Sequence, residues 1–379
     1  MSWLYRSAKT LSRLTKLMAR YKSDFQIQQA LQSKEEKSLP LSLYGGIYTV
    51  AMVPGGGSGP QLMKYVEEVI TASGAPITFE VVNMFEESSD QDLDDAIVAV
   101  KRNRVALKGK IQTQGDNIKS TQRDAKMMIV LDLYVNVLHA QSLLKIRPEH
   151  DADIIVVTQN TEGEYTNLEH QNVKGVVESM KICTRGNSEK AARYAFECAR
   201  KESRRKVTTV HKAQVYQLSD GLFLETAQKV SKEYPDIEHD DLQIDTTCKN
   251  LVQNPKQFDV ILTTNLYGDV ISNIVCGLLK GPGFLCSKNY GDSCAVFEAV
   301  DRHDNPDETR ISPIALLNAA VEMLNHFGHF KHVDQIREAI FKTICQDEIK
   351  TPDMGGVNST LEVVERIIER VKGMDTRRW

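Results

Sequence analysis

No apolar run in the sequence approaches the roughly 20 residues that a membrane span needs, so a transmembrane segment is excluded. Patterned cysteine is also missing. The seven cysteines (Cys183, Cys198, Cys248, Cys276, Cys286, Cys294, Cys345) are odd in number, scattered and never spaced as CxxC. That rules against a disulfide framework or a zinc site and implies a reducing compartment. The absence of internal repeats and low-complexity stretches excludes a solenoid. What is present, 41% hydrophobic and 26% charged side chains over 379 residues, suffices to bury a large core in one large or two medium domains.

One further absence is local. Residues 1–23 hold no acid but six bases: Arg6, Lys9, Arg13, Lys16, Arg20 and Lys22. The first five alternate three and four apart, which puts them on one face of a helix beside Leu4, Leu11, Leu14 and Met18. This is the amphipathic pattern of a mitochondrial presequence, and it points to the mitochondrial matrix. Setting those six charges aside takes the formal net charge from −4 to −10, and so acidic a body argues against nucleic acid as a partner.

Residues 24–45 are polar and aperiodic and read as a linker or arm, with the fold starting at Gly46. From there strand-like runs (YTVAMV, ITFEVV, VALKG, ADIIVVT, KVTTVH, FDVILTT, CAVFEA) alternate with helix-period segments at 60–72, 90–103, 188–203, 218–233 and 312–326. Alternation of this kind predicts an α/β fold around an internal sheet. The loop PGGGSGPQLM (Pro54–Met63) lies between a strand and a helix, where backbone N–H groups could meet an anion. It lacks both GxGxxG spacing and the Lys-Ser/Thr of a P-loop, so a tight turn is its default reading.

Three later segments carry more chemistry. Gln159–Arg185 places two acids and Tyr165 just after a buried strand, at the sheet edge where α/β enzymes build sites. HKAQ (His211–Gln214) puts Lys212 at a strand end, where burial would depress its pKa toward that of a general base. NLYGDVISN (Asn265–Asn273) opens a helix with Asp269 and Asn273 four apart, on one face and within reach of a hard divalent cation. Each alone is more simply a capping or surface polar group.

Taken together and in order, these segments resemble the β-decarboxylating dehydrogenases, and within them the eukaryotic NAD-dependent isocitrate dehydrogenase subunits. The likeness runs from Gly46 to the C-terminus through ALKGK, LDLYVNV, NTEGEY, LEH, GVVES, VHKA, SDGLF, QFDV, NLYGD, GPG and AVFE. RNRVALKG and the short segment after AVFE are most similar to the gamma type. The resemblance implies two α/β domains: a large one from 46–133 and 280–379, and a small one from 134–279 with a subunit clasp at about 163–186. It also implies a chemistry, oxidation of isocitrate by NAD followed by loss of carbon dioxide with Mg²⁺ or Mn²⁺ as Lewis acid. Lysine (Lys212) would act as the base, tyrosine (Tyr165) as the proton donor to the enolate, and aspartates (Asp245, Asp269) as metal ligands. In that family one subunit lends its lysine and one aspartate to its neighbour.

The chain departs from the family where substrate is held. Positions that carry carboxylate-gripping arginines align with Met128, Leu138 and Thr158, and losing even one buried guanidinium contact costs about 2–5 kcal/mol. Asn273 stands for a second helix aspartate, Gly56 and Gln61 for acids of the first loop, and Gln214 for an asparagine. The adenosine loop is represented by Val300–Pro313, which keeps almost none of the family's motif. The expectation is a subunit inactive alone, with doubtful NAD and metal binding of its own, that donates Lys212 and Asp245 to an alpha-type catalytic partner. Citrate activation, a family property of gamma subunits, is expected to be weak because the same arginines would hold citrate. Alternatives are an active dehydrogenase for another 2-hydroxy acid, or a pseudoenzyme with only a structural role.

Overall fold

The computed structural model describes residues 43–85, 88–110, 118–141, 152–279, 285–300 and 311–375. The expected presequence, the arm up to residue 42 and most of the expected adenosine loop lie outside these residues. Among the described residues no helix is long and apolar enough to cross a membrane.

Structure begins slightly earlier than the composition suggests. Strand β1 (Leu43–Tyr44) pairs antiparallel with the start of β2 (Ile47–Val53), so part of the expected arm belongs to the sheet. The turn between them is Gly45–Gly46, both at positive φ, the conformation that a two-residue hairpin demands and glycine supplies.

The remaining main-sheet strands are β3 (Ile77–Val81), β4 (Val105–Lys108), β5 (Val135–Gln141), β6 (Asp153–Gln159), β9 (Lys206–His211), β10 (Glu238–Gln243), β11 (Val260–Thr263), β12 (Cys286–Tyr290) and β13 (Ala295–Ala299), while β7 (Glu169–Val173) and β8 (Val176–Ser179) form a separate hairpin. The order across the sheet is β1-β2-β4-β13-β12-β5-β6-β11-β9-β10, with β3 parallel beside β2. Strands β2, β4 and β13 run parallel, and so do β6, β11, β9 and β10; antiparallel β12 and β5 reverse the direction between the two sets.

Apolar residues on both faces of each half demand cover on both, and helices supply it. On the first half, α1 (Gly59–Ser73), α8 (Ile314–His326), α9 (Phe330–Cys345) and α10 (Thr360–Asp375) bury Val50, Met52, Leu107 and Phe297. Helices α2 (Asp90–Asn103) and α3 (Ile118–Val130) cover Ala51, Val53 and Val296 opposite. On the second half, α4 (Arg185–Lys201) and α5 (Ser219–Ser231) cover Val135, Val137 and Val157, whereas α6 (Ile244–Gln253) and α7 (Asn265–Leu278) cover Leu138, Val156 and Ile261. Local chemistry starts these helices: Ser89 and Asp92 cap α2 reciprocally, and Leu93, Ala96, Ile97 and Val100 make its buried stripe.

Asp347, between α9 and α10, accepts from the Nε atoms of both Arg366 and Arg370 at 2.8 Å. The hydrogen bonds from Arg370 and Arg366 pull its carboxyl down to about 2. A depressed acid stabilises the fold above its unfolded pKa of about 3.9 and loses that contribution as pH falls toward 2. Asp347→Asn is therefore expected to flatten the acid limb of stability, read as urea midpoints between pH 5 and pH 2.5.

Candidate functional site

The carboxyl ends of the parallel strands β6, β9, β10 and β11 share one edge, and the sequence-predicted residues emerge there. Because β9 and β10 run in register with His211 opposite Gln243, the residues that follow them leave side by side. Lys212 Nζ donates to Asp245 Oδ1 at 2.8 Å and to Gln243 Oε1 at 3.1 Å. The Lys212 hydrogen bond holds Asp245 below the usual carboxylate range. The expectation that Lys212 is buried needs correction: its side chain is 25% exposed and that of Asp245 is 66% exposed, because β10 is an edge strand and α6 covers only one flank.

The main chain of Lys212 is pinned on both sides. Its N–H donates to Asp220 Oδ2 at 2.7 Å, and its carbonyl accepts from the N–H groups of Val215 and Tyr216 at 2.9 and 3.0 Å. Asp220, fully buried in the first turn of α5, also faces Lys181 Nζ at 2.7 Å. Lys181 lies 3.2 Å from Glu164 Oε1, with its ammonium over the rings of Tyr267 and Tyr216 at 4.5 and 5.0 Å. Burial pulls its pKa down, but the hydrogen bond to Asp220 and the Glu164 charge outweigh this and lift it to about 12.

Tyr165 sits in a 3-10 turn (Glu164–Thr166) after β6, and its hydroxyl donates to Asp269 of α7. Two features press α7 onto this turn. Asn265 Nδ2 donates to the carbonyls of Asn160 and Glu162 at 3.0 and 3.1 Å, and Gly268 lies flush against Thr158. A Cβ on Gly268 would fall 2.3 Å from Thr158 Oγ1 and Cγ2, so Gly268→Ala must lift the helix or twist the strand. A loss of about 1–3 kcal/mol in denaturant unfolding is expected from such overpacking.

The structure thus joins the four expected residues as two pairs, Tyr165 with Asp269 and Lys212 with Asp245. Asn273 falls short of the ligand role considered for it: its side-chain nitrogen donates to the Asp269 carbonyl at 2.8 Å, the ordinary back-bonding of an amide within a helix. Among the described residues no group of three or more His, Cys, Asp or Glu side chains could hold a metal ion. Asp245 and Asp269 thus stand in separate pairs and do not by themselves make up a Mg²⁺ or Mn²⁺ site.

Of the substrate positions, Leu138 is fully buried on the sheet face covered by α7 and packs among Val156, Ile271 and Val275. Thr158 lies under Gly268, and Met128 packs half-buried against the core beneath α2 and α3. None presents a charge. The glycine loop after β2 also proves structural. Gly56 donates to the Lys110 carbonyl at 3.0 Å, and a Cβ at Gly55 or Gly109 would strike a backbone carbonyl at 2.2 or 2.0 Å.

Several residues went unread in the sequence. Glu162 serves as a cap for α4, accepting from Thr184 N, Thr184 Oγ1 and Asn187 Nδ2 at 2.8, 2.6 and 2.7 Å. Lys108, at the end of β4, is wholly buried between Glu298 at 2.7 Å and Asp124 at 3.2 Å; Glu298 also accepts from Asn289 at 2.8 Å. Burial works against the Lys108 ammonium, but the two carboxylates outweigh it and raise the pKa. A lysine inside an apolar strand run was the available signal for the last; Lys181 and Asp220 offered none, since their partners are far off in sequence.

The isocitrate/isopropylmalate dehydrogenase family model matches residues 49–367. Isocitrate dehydrogenase [NAD] subunit gamma 1, mitochondrial, of Rattus norvegicus is 40% identical over 350 residues, 91% of this chain and 89% of the relative. The corresponding beta subunit of Bos taurus is 39% identical over 334 residues, 85% of this chain and 86% of the relative. Among solved structures, isocitrate dehydrogenase from Methylococcus capsulatus superposes with a TM-score of 0.79 at 34% identity, covering 86% of this chain and 100% of that one.

Proposed function

The chain belongs to the isocitrate/isopropylmalate dehydrogenase family, and on that footing we propose that it is a gamma-like subunit of a mitochondrial NAD-dependent isocitrate dehydrogenase. Its own pocket is silent, and it completes the active site of an alpha-type partner with Lys212 and Asp245. One observation carries this reading. The Lys212–Asp245 pair is preformed and faces solvent, while Leu138, at a position where the family places an arginine, is sealed in the apolar core.

The surroundings of Lys212 favour a partner. Every residue from 169 to 179, the hairpin β7–β8, is exposed, including Val173, Val176 and Val177. Leu266 and Val270 on α7, Val252 on α6, and Val215 and Leu218 after Lys212 add exposed apolar surface. Surface of this kind beside a charged pair suits a subunit interface, with the hairpin as clasp. The domain division at 46–133 with 280–379 and at 134–279 belongs to the same proposal. The acid-free start of the chain and the names of its relatives support import into the matrix.

At the partner's site Lys212 would take up the substrate hydroxyl proton, aided by a main chain already fixed by Asp220, Val215 and Tyr216. Tyr165 and Asp269 would remain on this chain's own, uncharged-walled side. The test measures NAD reduction with isocitrate and Mg²⁺ by this chain alone and after mixing with an alpha-type subunit. Activity confined to the mixture, above that of the alpha-type subunit by itself, is expected. Turnover by the isolated chain would overturn the proposal, and a mixture no better than the alpha-type subunit would leave only a structural role.

A further inference from the structure

We infer that the buried Lys181–Asp220 ion pair is a positioning device for Lys212, fixing its main chain from the foot of the exposed hairpin. The inference rests on the donor reading above and adds two residues to it.

The connection is short and continuous. Hairpin β7–β8 is anchored where Gly163 and Ile182 exchange backbone hydrogen bonds at 2.8 and 3.3 Å, and Lys181 is the neighbour of Ile182. From that foot the lysine turns inward to Asp220 Oδ1, while Asp220 Oδ2 receives the Lys212 N–H. One carboxylate, 0% exposed, thus spans an ammonium, the Tyr267 hydroxyl and a single backbone N–H. A buried carboxylate without its counter-ion would be costly, so the Lys181 charge is what permits Asp220 to occupy this place. Neither side chain touches Lys212 Nζ, Asp245 or Gln243 through any bond found here; their reach is to the main chain.

Lys181 also faces the other pair. It lies beside Glu164, adjacent to Tyr165, and over Tyr267, two residues before Asp269. The hairpin foot, the Tyr165 turn, the start of α7 and the Lys212 turn therefore meet at one ammonium. A displaced Lys181 would release the Lys212 turn without removing any group that touches substrate, and an error on the order of 1 Å in a reacting group costs about 100-fold in rate.

The experiment uses the full chain assembled with an alpha-type subunit, comparing Lys181→Met, Asp220→Asn and the double variant, with Lys212→Ala as control. Each complex is purified by gel filtration and its rate expressed per assembled complex. Expected is a 10- to 100-fold fall in kcat with the isocitrate KM unchanged, and a double variant no slower than the slower single one, because the two act as a unit. Additive losses, a raised KM with kcat intact, or unchanged kinetics would overturn the inference. Should Lys181→Met fail to fold, since it leaves the Asp220 carboxylate buried without its cation, Asp220→Asn decides by its kcat and KM alone, because the amide keeps the shape of the side chain and carries no buried charge. If Lys212→Ala abolishes turnover while the pair variants do not slow it, only this inference falls. If Lys212→Ala has no effect, the donor reading falls and takes the inference with it.

Discussion

Lys212→Ala, introduced into this chain and assembled with an alpha-type subunit, is expected to lower isocitrate-dependent NAD reduction by about 10²- to 10⁴-fold, the range that a general acid–base group supplies. The free chain should unfold as before, because the Lys212–Asp245 pair is exposed and its loss disturbs no core. Lys212→Arg makes the sharper comparison. A guanidinium can keep the ion pair with Asp245, but it does not give up its proton in a protein, so it cannot act as a base. If Lys212 serves only to place a positive charge, Lys212→Arg will retain most of the rate. If it transfers a proton, both variants will be similarly slow. Steady-state kinetics on the purified heterodimer distinguishes the two, and full activity in both would remove Lys212 from the mechanism.

The largest effect on stability is expected away from that edge, at Lys108. Lys108→Met leaves the largely buried Glu298 and the partly exposed Asp124 without the cation between them. Removing one partner of a buried ion pair costs about 3–5 kcal/mol, chiefly the desolvation of the charges left behind. The pH dependence has a definite sign. In the natural chain Glu298 is depressed: burial raises it, but Lys108 overcomes this by its charge and hydrogen bond. Its stabilising contribution is thus present above the unfolded pKa and lost as pH falls. Without Lys108 the two acids repel, and protonation relieves them. The gap between Lys108→Met and the natural chain should therefore narrow as pH drops below about 5, measured by guanidinium midpoints. A constant gap would show that packing, rather than charge, makes Lys108 important.

How far the sequence could be read depended on what each strand does. Strands such as β2, β6 and β11, buried on both faces, are continuous apolar runs and were found. Several others were not, β10 and β12 among them. Strand β10 reads EHDDLQ because it is the sheet's edge, where polar side chains meet water, and it joins β9 by polar side-chain pairs as well as by backbone: Lys206–Asp240 at 2.7 Å, Thr209–His239 at 2.9 Å and His211–Asp241 at 3.2 Å. Strand β12, CSKNY, lies in the middle of the sheet yet looks polar, because Lys288 is matched by Glu322 at 3.0 Å and Asn289 by Glu298. Alternation rules cannot see partners that arrive from a distant helix, as Glu322 does, or across a neighbouring strand, as Glu298 does.

The site shows the same division. Tyr165, Lys212 and Asp269 were legible because each follows a strand end or opens a helix, whereas Asp245 entered only through the family resemblance; the fold gathers all four on one edge. What sets their posture was hidden: Asp220 under Lys212, Lys181 at the foot of the hairpin, and the close approach of Gly268 to Thr158. Glu162 was hidden as well, since the three donors from Thr184 and Asn187 that occupy it at the start of α4 lie more than twenty residues away.

The placement of β13 beside β4 has a consequence for how the polypeptide matures. Val105–Lys108 has β2 on one side but finds its second neighbour only at Ala295–Glu298, a separation of 190 residues between Lys108 and Glu298. During synthesis, or threading through a translocase, the first third of the chain must wait with one edge of β4 bare until nearly 300 residues are available. Such distant pairing is slow and leaves an adhesive edge open meanwhile. Holding by chaperones is the natural remedy, and a chain cut short before Cys294 would keep that edge for good and pass into aggregates.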